Sequence, residues 1–102
     1  MMHLRFLRAA EEELTAAGQW YDRERRGLGE RFFDAVVVAR RRIEADPITL
    51  PFAEHYQGSR DVRRCPVEDF PYQVIFEIRT DELVVLAVAH GSRRPGYWSR
   101  RR

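Results

Sequence analysis

Residues 87–98, Ala87-Val88-Ala89-His90-Gly91-Ser92-Arg93-Arg94-Pro95-Gly96-Tyr97-Trp98, gather a histidine, two arginines, a tyrosine and a tryptophan in one short stretch. Arginine grips phosphate bidentately and stays charged at any working pH. Histidine titrates near neutrality and can move a proton. Tyrosine can stack on a base or donate its hydroxyl. Such a set can cut RNA without a metal: a base activates the ribose 2′-hydroxyl, and arginine offsets the charge on the phosphorane. His90 is in phase with Val84, Leu86 and Val88, and so is expected to leave its strand on their face. Arg63 and Arg64 come from an earlier strand, and one of them should point the same way. The plainer reading stands beside this one. Tyr97 and Trp98 can anchor the C-terminal tail to the core, while Arg93 and Arg94 solvate a surface or pair with carboxylates.

Other chemistries find no support in the residue types. The sequence has no phosphate-binding glycine loop, no paired cysteine motif and no serine in a nucleophile elbow. His3, His55 and His90 lack ligand spacing, so neither a metal nor another cofactor is expected. Cys65 reads as a small core residue. Arg40-Arg41-Arg42 reads as a solvated helix face, and the end from Arg100 to Arg102 as frayed.

The elements that must position these groups fall into two halves. Leu4-Arg5-Phe6-Leu7 is a short candidate strand. Ala10, Leu14, Ala17 and Tyr21 then recur at helical spacing, with Glu11, Glu12 and Glu13 where acids favour a helix start. Gly27 and Gly29 mark a turn. Leu28, Phe32, Val36, Ala39 and Ile43 form a second helical stripe, which Phe33 and Val37 widen, and Asp46-Pro47 ends it. The short link predicts an antiparallel helical hairpin over about residues 9–46. Residues 47–60 read as an irregular loop. Val62 to Cys65 is a weak strand stopped by Pro66. Tyr72 to Arg79 alternates with the period of a half-buried strand, and the apolar run Leu83 to Ala89 suits a central strand covered on both faces. An α+β domain spanning residues 1–102 follows, with the sheet over about 60–90 and a tail over 91–102.

Charge sharpens the same division. The chain has 102 residues and a formal net charge of +2, and all of its 18 Lys+Arg residues are arginine. The helical half balances, the middle is acidic, and the tail holds five arginines and no acid. The longest apolar run is far short of the roughly 20 residues a membrane span needs. With no apolar signal core and a lone cysteine, the cytoplasm is the expected compartment.

Taken in order, these segments resemble the RelE/ParE superfamily of toxins from type II toxin–antitoxin modules, in its plasmid-stabilisation branch. The resemblance rests on Ala-Glu-Glu-Glu-Leu opening the first helix, with Trp20-Tyr21 at its far end. It also rests on Gly27-Leu28-Gly29-Glu30-Arg31-Phe32, on Ile43 with Pro47, on Val62-Arg63-Arg64 and Phe70-Pro71-Tyr72, and on Val85 to Trp98. It implies two N-terminal helices packed on a twisted, mainly antiparallel sheet, and an acidic, partly disordered antitoxin as partner. One class of the superfamily cuts ribosome-bound mRNA. By position, Arg64 (or Arg63), Arg93 and Tyr97 match its pattern, with His90 nearby and Glu54 as a candidate base. Further basic residues common in that class are missing here, since 47–59 holds none. The other class inhibits DNA gyrase by binding, and the helical half lies nearer to it. The resemblance therefore implies a growth-inhibiting toxin, with gyrase favoured as target and the mRNA endoribonuclease as alternative. A non-toxic binding module is a third reading. Arg63, Arg94 and Trp98 are the expected partner-binding residues.

Overall fold

A computed structural model describes residues 2–102. Strand β1 (His3–Phe6) leads into helix α1 (Arg8–Glu24) and helix α2 (Leu28–Ala45). A single 3-10 turn follows at Pro47–Thr49, and then strands β2 (Asp61–Val67), β3 (Tyr72–Ile78) and β4 (Glu82–His90). The sheet order is β1-β4-β3-β2. The last three strands form an antiparallel meander, and β1 joins its far side parallel to β4.

The hairpin forms where the spacing places it. Ala10, Ala17 and Tyr21 of α1 and Phe32, Val36, Ala39 and Ile43 of α2 are buried. Only Gly27 makes the turn, in the left-handed conformation at φ 88°; Gly29 already belongs to α2. The Gly29 N–H donates to Asp22 Oδ1 at 2.8 Å, so a side chain of α1 caps the start of α2. Phe33 and Val37 do not widen the buried stripe. They are 39% and 43% exposed, and the Phe33 ring lies over Gly18 on the outside of the hairpin. The two helices nearly touch at Gly29, where an added Cβ would meet the Gly18 carbonyl oxygen. Gly29→Ala should therefore push the helices apart and cost about 1–3 kcal/mol in urea unfolding.

Helices cover one face of the sheet. Their apolar stripe packs against Cys65, Val67, Val74, Phe76, Leu83, Val85 and Val88. The opposite face carries a second cluster of Val62, Ile75, Val84, Leu86 and Ala87, closed by Ala53 and Trp98. Strand β2 runs through Pro66, which pairs with Gln73, instead of stopping there. It can do so because β2 is the edge of the sheet, where a missing N–H breaks no ladder.

A register shift between Ile75 and Phe76 corrects the expected direction of His90. Ile75 pairs with Ala87 and Phe76 with Val85, leaving Leu86 as the extra residue of a bulge. Leu86 and Ala87 both face away from the helices. Beyond the bulge, Val88 and His90 return to the helical side with Leu83 and Val85, not with Val84 and Leu86. The His90 ring meets Tyr72 edge-on at 5.0 Å, and Tyr72 packs against Phe32 at 5.0 Å.

Candidate functional site

One carboxylate organises the region around the C-terminal tail. Glu13 lies on α1 between Ala10 and Ala17, on the face turned toward β4. Its Oε1 accepts from the Val88 N–H at 3.0 Å and from Arg101 Nη1 at 2.9 Å. Its Oε2 accepts from the Tyr97 hydroxyl at 2.7 Å and from Arg101 Nη2 at 3.1 Å. Arg93 Nη1 stands 3.8 Å from Oε2. Helix, strand and tail are thus joined at one residue. Two guanidinium groups lie over the Tyr97 ring, Arg93 at 3.9 Å and Arg101 at 5.1 Å from its centre. Burial, and then the bond to Glu13, push the Tyr97 hydroxyl well above its ordinary pKa. It is a fixed donor rather than a base.

A second clamp holds the other side of the tail. Arg60 donates to the Ser99 carbonyl at 3.0 Å, to the Arg101 carbonyl at 2.7 Å and to Glu77 Oε1 at 3.0 Å. Arg79 joins Glu77 at 3.0 Å. Burial opposes the charge on Glu77, but these two arginines together hold its carboxyl below the usual range. Residues 91–101 turn repeatedly on themselves through Arg93 N–H to His90 C=O, Tyr97 to Arg94, Ser99 to Gly96 and Arg101 to Trp98. The end of the chain is therefore not frayed as its composition suggests. Arg101 is anchored by both its side chain and its carbonyl.

Of the residues singled out in the sequence, His90, Arg93 and Tyr97 line one groove of about 470 Å³, together with Arg94, Glu54 and His55. His90 Nδ1 accepts from the Ser92 N–H at 2.9 Å, which leaves the ring proton of the neutral form on Nε2. Arg64 does not line this groove. It donates to the Phe52 carbonyl at 3.2 Å, lies 3.4 Å from Glu54, and pairs across the sheet with Ile75 on the face away from the helices. Arg63 pairs with Phe76 on the helical face. It is spent on structure: it donates to Asp61 and to the carbonyls of Ile48 and Leu50, and it covers the Phe52 ring at 4.2 Å. Trp98 is only 4% exposed and fills the second core cluster, so it secures the tail instead of offering a contact surface. Arg94 is exposed, and its side chain has no hydrogen bond or ion pair among the described residues.

Glu13, Arg60 and Arg101 are the residues that sequence reasoning missed. A signal existed for Glu13. It sits three residues after Ala10 and four before Ala17, inside the apolar stripe, where a carboxylate needs partners. Among the described residues, no three His, Cys, Asp or Glu side chains gather as a metal site requires, and no helix is long and apolar enough to cross a membrane.

No curated protein matches the chain. A solved structure described as the chromosomal ParDE TA system from P. aeruginosa contains a chain of the same fold. It is 20% identical with a TM-score of 0.67, over 88% of this chain and 96% of that one. The family model of the ParE toxin of the type II toxin–antitoxin system, parDE, matches residues 4–95. That match runs from β1 through both helices and the whole sheet to the tail turn, and the chain belongs to the ParE toxin family of type II toxin–antitoxin modules.

Proposed function

We propose that this toxin arrests growth by binding DNA gyrase, and that an antitoxin encoded beside it holds it silent. The observation that supports gyrase over mRNA cleavage is the engagement of Tyr97. Its hydroxyl donates to Glu13 at 2.7 Å, and two arginines stack over its ring. Arg64, the other residue a nuclease would direct at the phosphate, does not itself line the groove: it is tied to the Phe52 carbonyl and to Glu54 at the groove's rim. The endoribonuclease reading keeps one support, the shared groove of His90, Arg93 and Tyr97.

The test is to add purified toxin to gyrase and supercoiled plasmid and to look for trapped double-strand breaks. Breaks should accumulate with toxin concentration, and Tyr97→Phe should leave them intact. No trapped cleavage at saturating toxin overturns the gyrase target. Transcripts cut at ribosome-bound positions in induced cells, and spared by Tyr97→Phe, would establish the nuclease instead. Unimpaired growth on expression without the antitoxin would reduce the protein to a binding module.

A further inference from the structure

The tail over 91–102 holds five arginines and no acid, and the fold engages the side chains of only two of them. Arg101 pairs bidentately with Glu13, and Arg93 stands 3.8 Å from the same carboxylate. Arg94, Arg100 and Arg102 are exposed, and their side chains have no hydrogen bond or ion pair among the described residues. The carboxylates in contact with this region are already engaged. Glu13 holds Arg101, and Glu77 holds Arg60 and Arg79. Glu54 is the one carboxylate among the described residues that lines the 470 Å³ groove, and it lies 3.4 Å from Arg64. Three positive charges are left without a counter-charge.

The backbone that carries them is fixed. Trp98 is buried in the second cluster, and Arg60 grips the Ser99 and Arg101 carbonyls on either side of Arg100. Arg101 Nη1 reaches the Leu86 carbonyl of β4 at 3.0 Å. The Arg94 carbonyl accepts from the Tyr97 N–H at 3.2 Å, which closes the turn. Cations on a fixed backbone lose less freedom on binding than those of a loose tail. Their chemistry selects the ligand. A guanidinium plane matches two phosphate oxygens at once, and a surface of one sign with no acid interleaved suits a polyanion. The rings of the tail are not available for stacking on bases: Trp98 is buried, and Arg93 and Arg101 lie over Tyr97. Single strands are held largely by such stacking, so the backbone of a duplex is the better fit.

We propose that this surface meets the DNA that gyrase holds: Arg94, Arg100 and Arg102 take backbone phosphates of the duplex, and the toxin binds the gyrase–DNA complex in preference to gyrase alone. This rests on the gyrase reading above. Contacts to phosphate position a protein without reading sequence, so the preference carries no base specificity. At roughly fivefold for each charged contact, three of them give a preference of about a hundredfold at low salt. Three neutralised phosphates also give a slope of about −2.7 in log affinity against log salt. The preference should therefore shrink about 40-fold between about 50 mM and about 200 mM salt.

The experiment measures binding of the full-length toxin to gyrase, with and without a bound duplex no longer than the segment gyrase covers. The wild-type toxin should bind the DNA-loaded form about a hundredfold more tightly at low salt. The triple variant Arg94→Ala, Arg100→Ala, Arg102→Ala should bind both forms to within about threefold of each other, and its ratio should not respond to salt. Its thermal midpoint should match the wild type, because these side chains hold no other part of the fold. If the wild-type toxin binds both forms of gyrase equally, the DNA contact is wrong and the gyrase reading stands. If the triple variant loses the same affinity for both forms, these arginines meet acidic groups of gyrase itself, and the DNA contact is again overturned. If the toxin binds gyrase in neither form, the gyrase reading fails and the DNA contact with it.

Discussion

Replacing Glu13 with alanine should destabilise the protein by about 3 kcal/mol and loosen the last dozen residues. The carboxylate is 16% exposed and accepts from three separate groups: the Val88 N–H, the Tyr97 hydroxyl and the Arg101 guanidinium. Alanine leaves all three without a partner in a part-buried position. An unsatisfied buried group costs about 1–3 kcal/mol, and removing one side of a buried ion pair costs about 3–5. Arg101 is 24% exposed, so water recovers part of that loss. Glutamine keeps an oxygen for Val88 or Tyr97 and should cost about half as much. Urea unfolding reads the energy, and exchange of the amides at 97–101 reads the loosened tail. A loss below about 1 kcal/mol would mean that Trp98 and Arg60 hold the tail without Glu13. The Arg5–Glu82 pair is the natural control: it has the same 2.9 Å contact on an open surface, and breaking it should change stability little.

Why this residue escapes a reading of the sequence is instructive. The stripe of Phe32, Val36, Ala39 and Ile43 is legible because a helix repeats its buried face at fixed spacing. The alternation of β3 is legible for a similar reason, and Val74 and Phe76 do face the helices. Yet Ile75 and Glu77 on the other side of β3 are buried as well. Their cover includes Ala53, Trp98 and Arg60, which lie far away along the chain and carry no periodic signal. The bulge at Leu86 is hidden in a run of uniformly apolar residues, where no polar position marks a change of phase. It nonetheless decides which way His90 points. Arg60, Arg63, Arg64, Arg93 and Arg101 are one residue type, and only the fold assigns them different work. Arg63 meets the loop carbonyls of Ile48 and Leu50, Arg64 meets Phe52, and Arg60 meets the tail carbonyls of Ser99 and Arg101. The groove was legible as a cluster of types near His90. What those side chains already hold was not, because their partners come from α1 and from the last residues of the chain.

Phe32→Ala should cost about 4 kcal/mol, and its reach extends to the groove. The side chain is fully buried, with ring centres of Tyr21 at 5.3 Å, Phe70 at 5.1 Å and Tyr72 at 5.0 Å. Those three rings belong to α1, to the β2–β3 turn and to β3, so Phe32 is where the hairpin is joined to the sheet. Truncating a buried phenylalanine costs about 3–5 kcal/mol, and edge-to-face partners add about 0.5–1.5 kcal/mol each. A domain of this size has only about 5–10 kcal/mol in total. The midpoint of thermal unfolding should therefore fall by roughly 15–25 °C. Phe32→Leu refills most of the volume and should lose about a third as much. Tyr72 carries the effect onward: it packs on Phe32 at one side and on His90 at the other, each at 5.0 Å. Once Tyr72 loses its support, the end of β4 loses the ring that positions His90 beside Ser92 and Arg93. Exchange at residues 88–92 should rise in Phe32→Ala by more than the global loss of stability accounts for. If it rises only in proportion, the ring cluster supports the fold as a whole and has no separate hold on the groove.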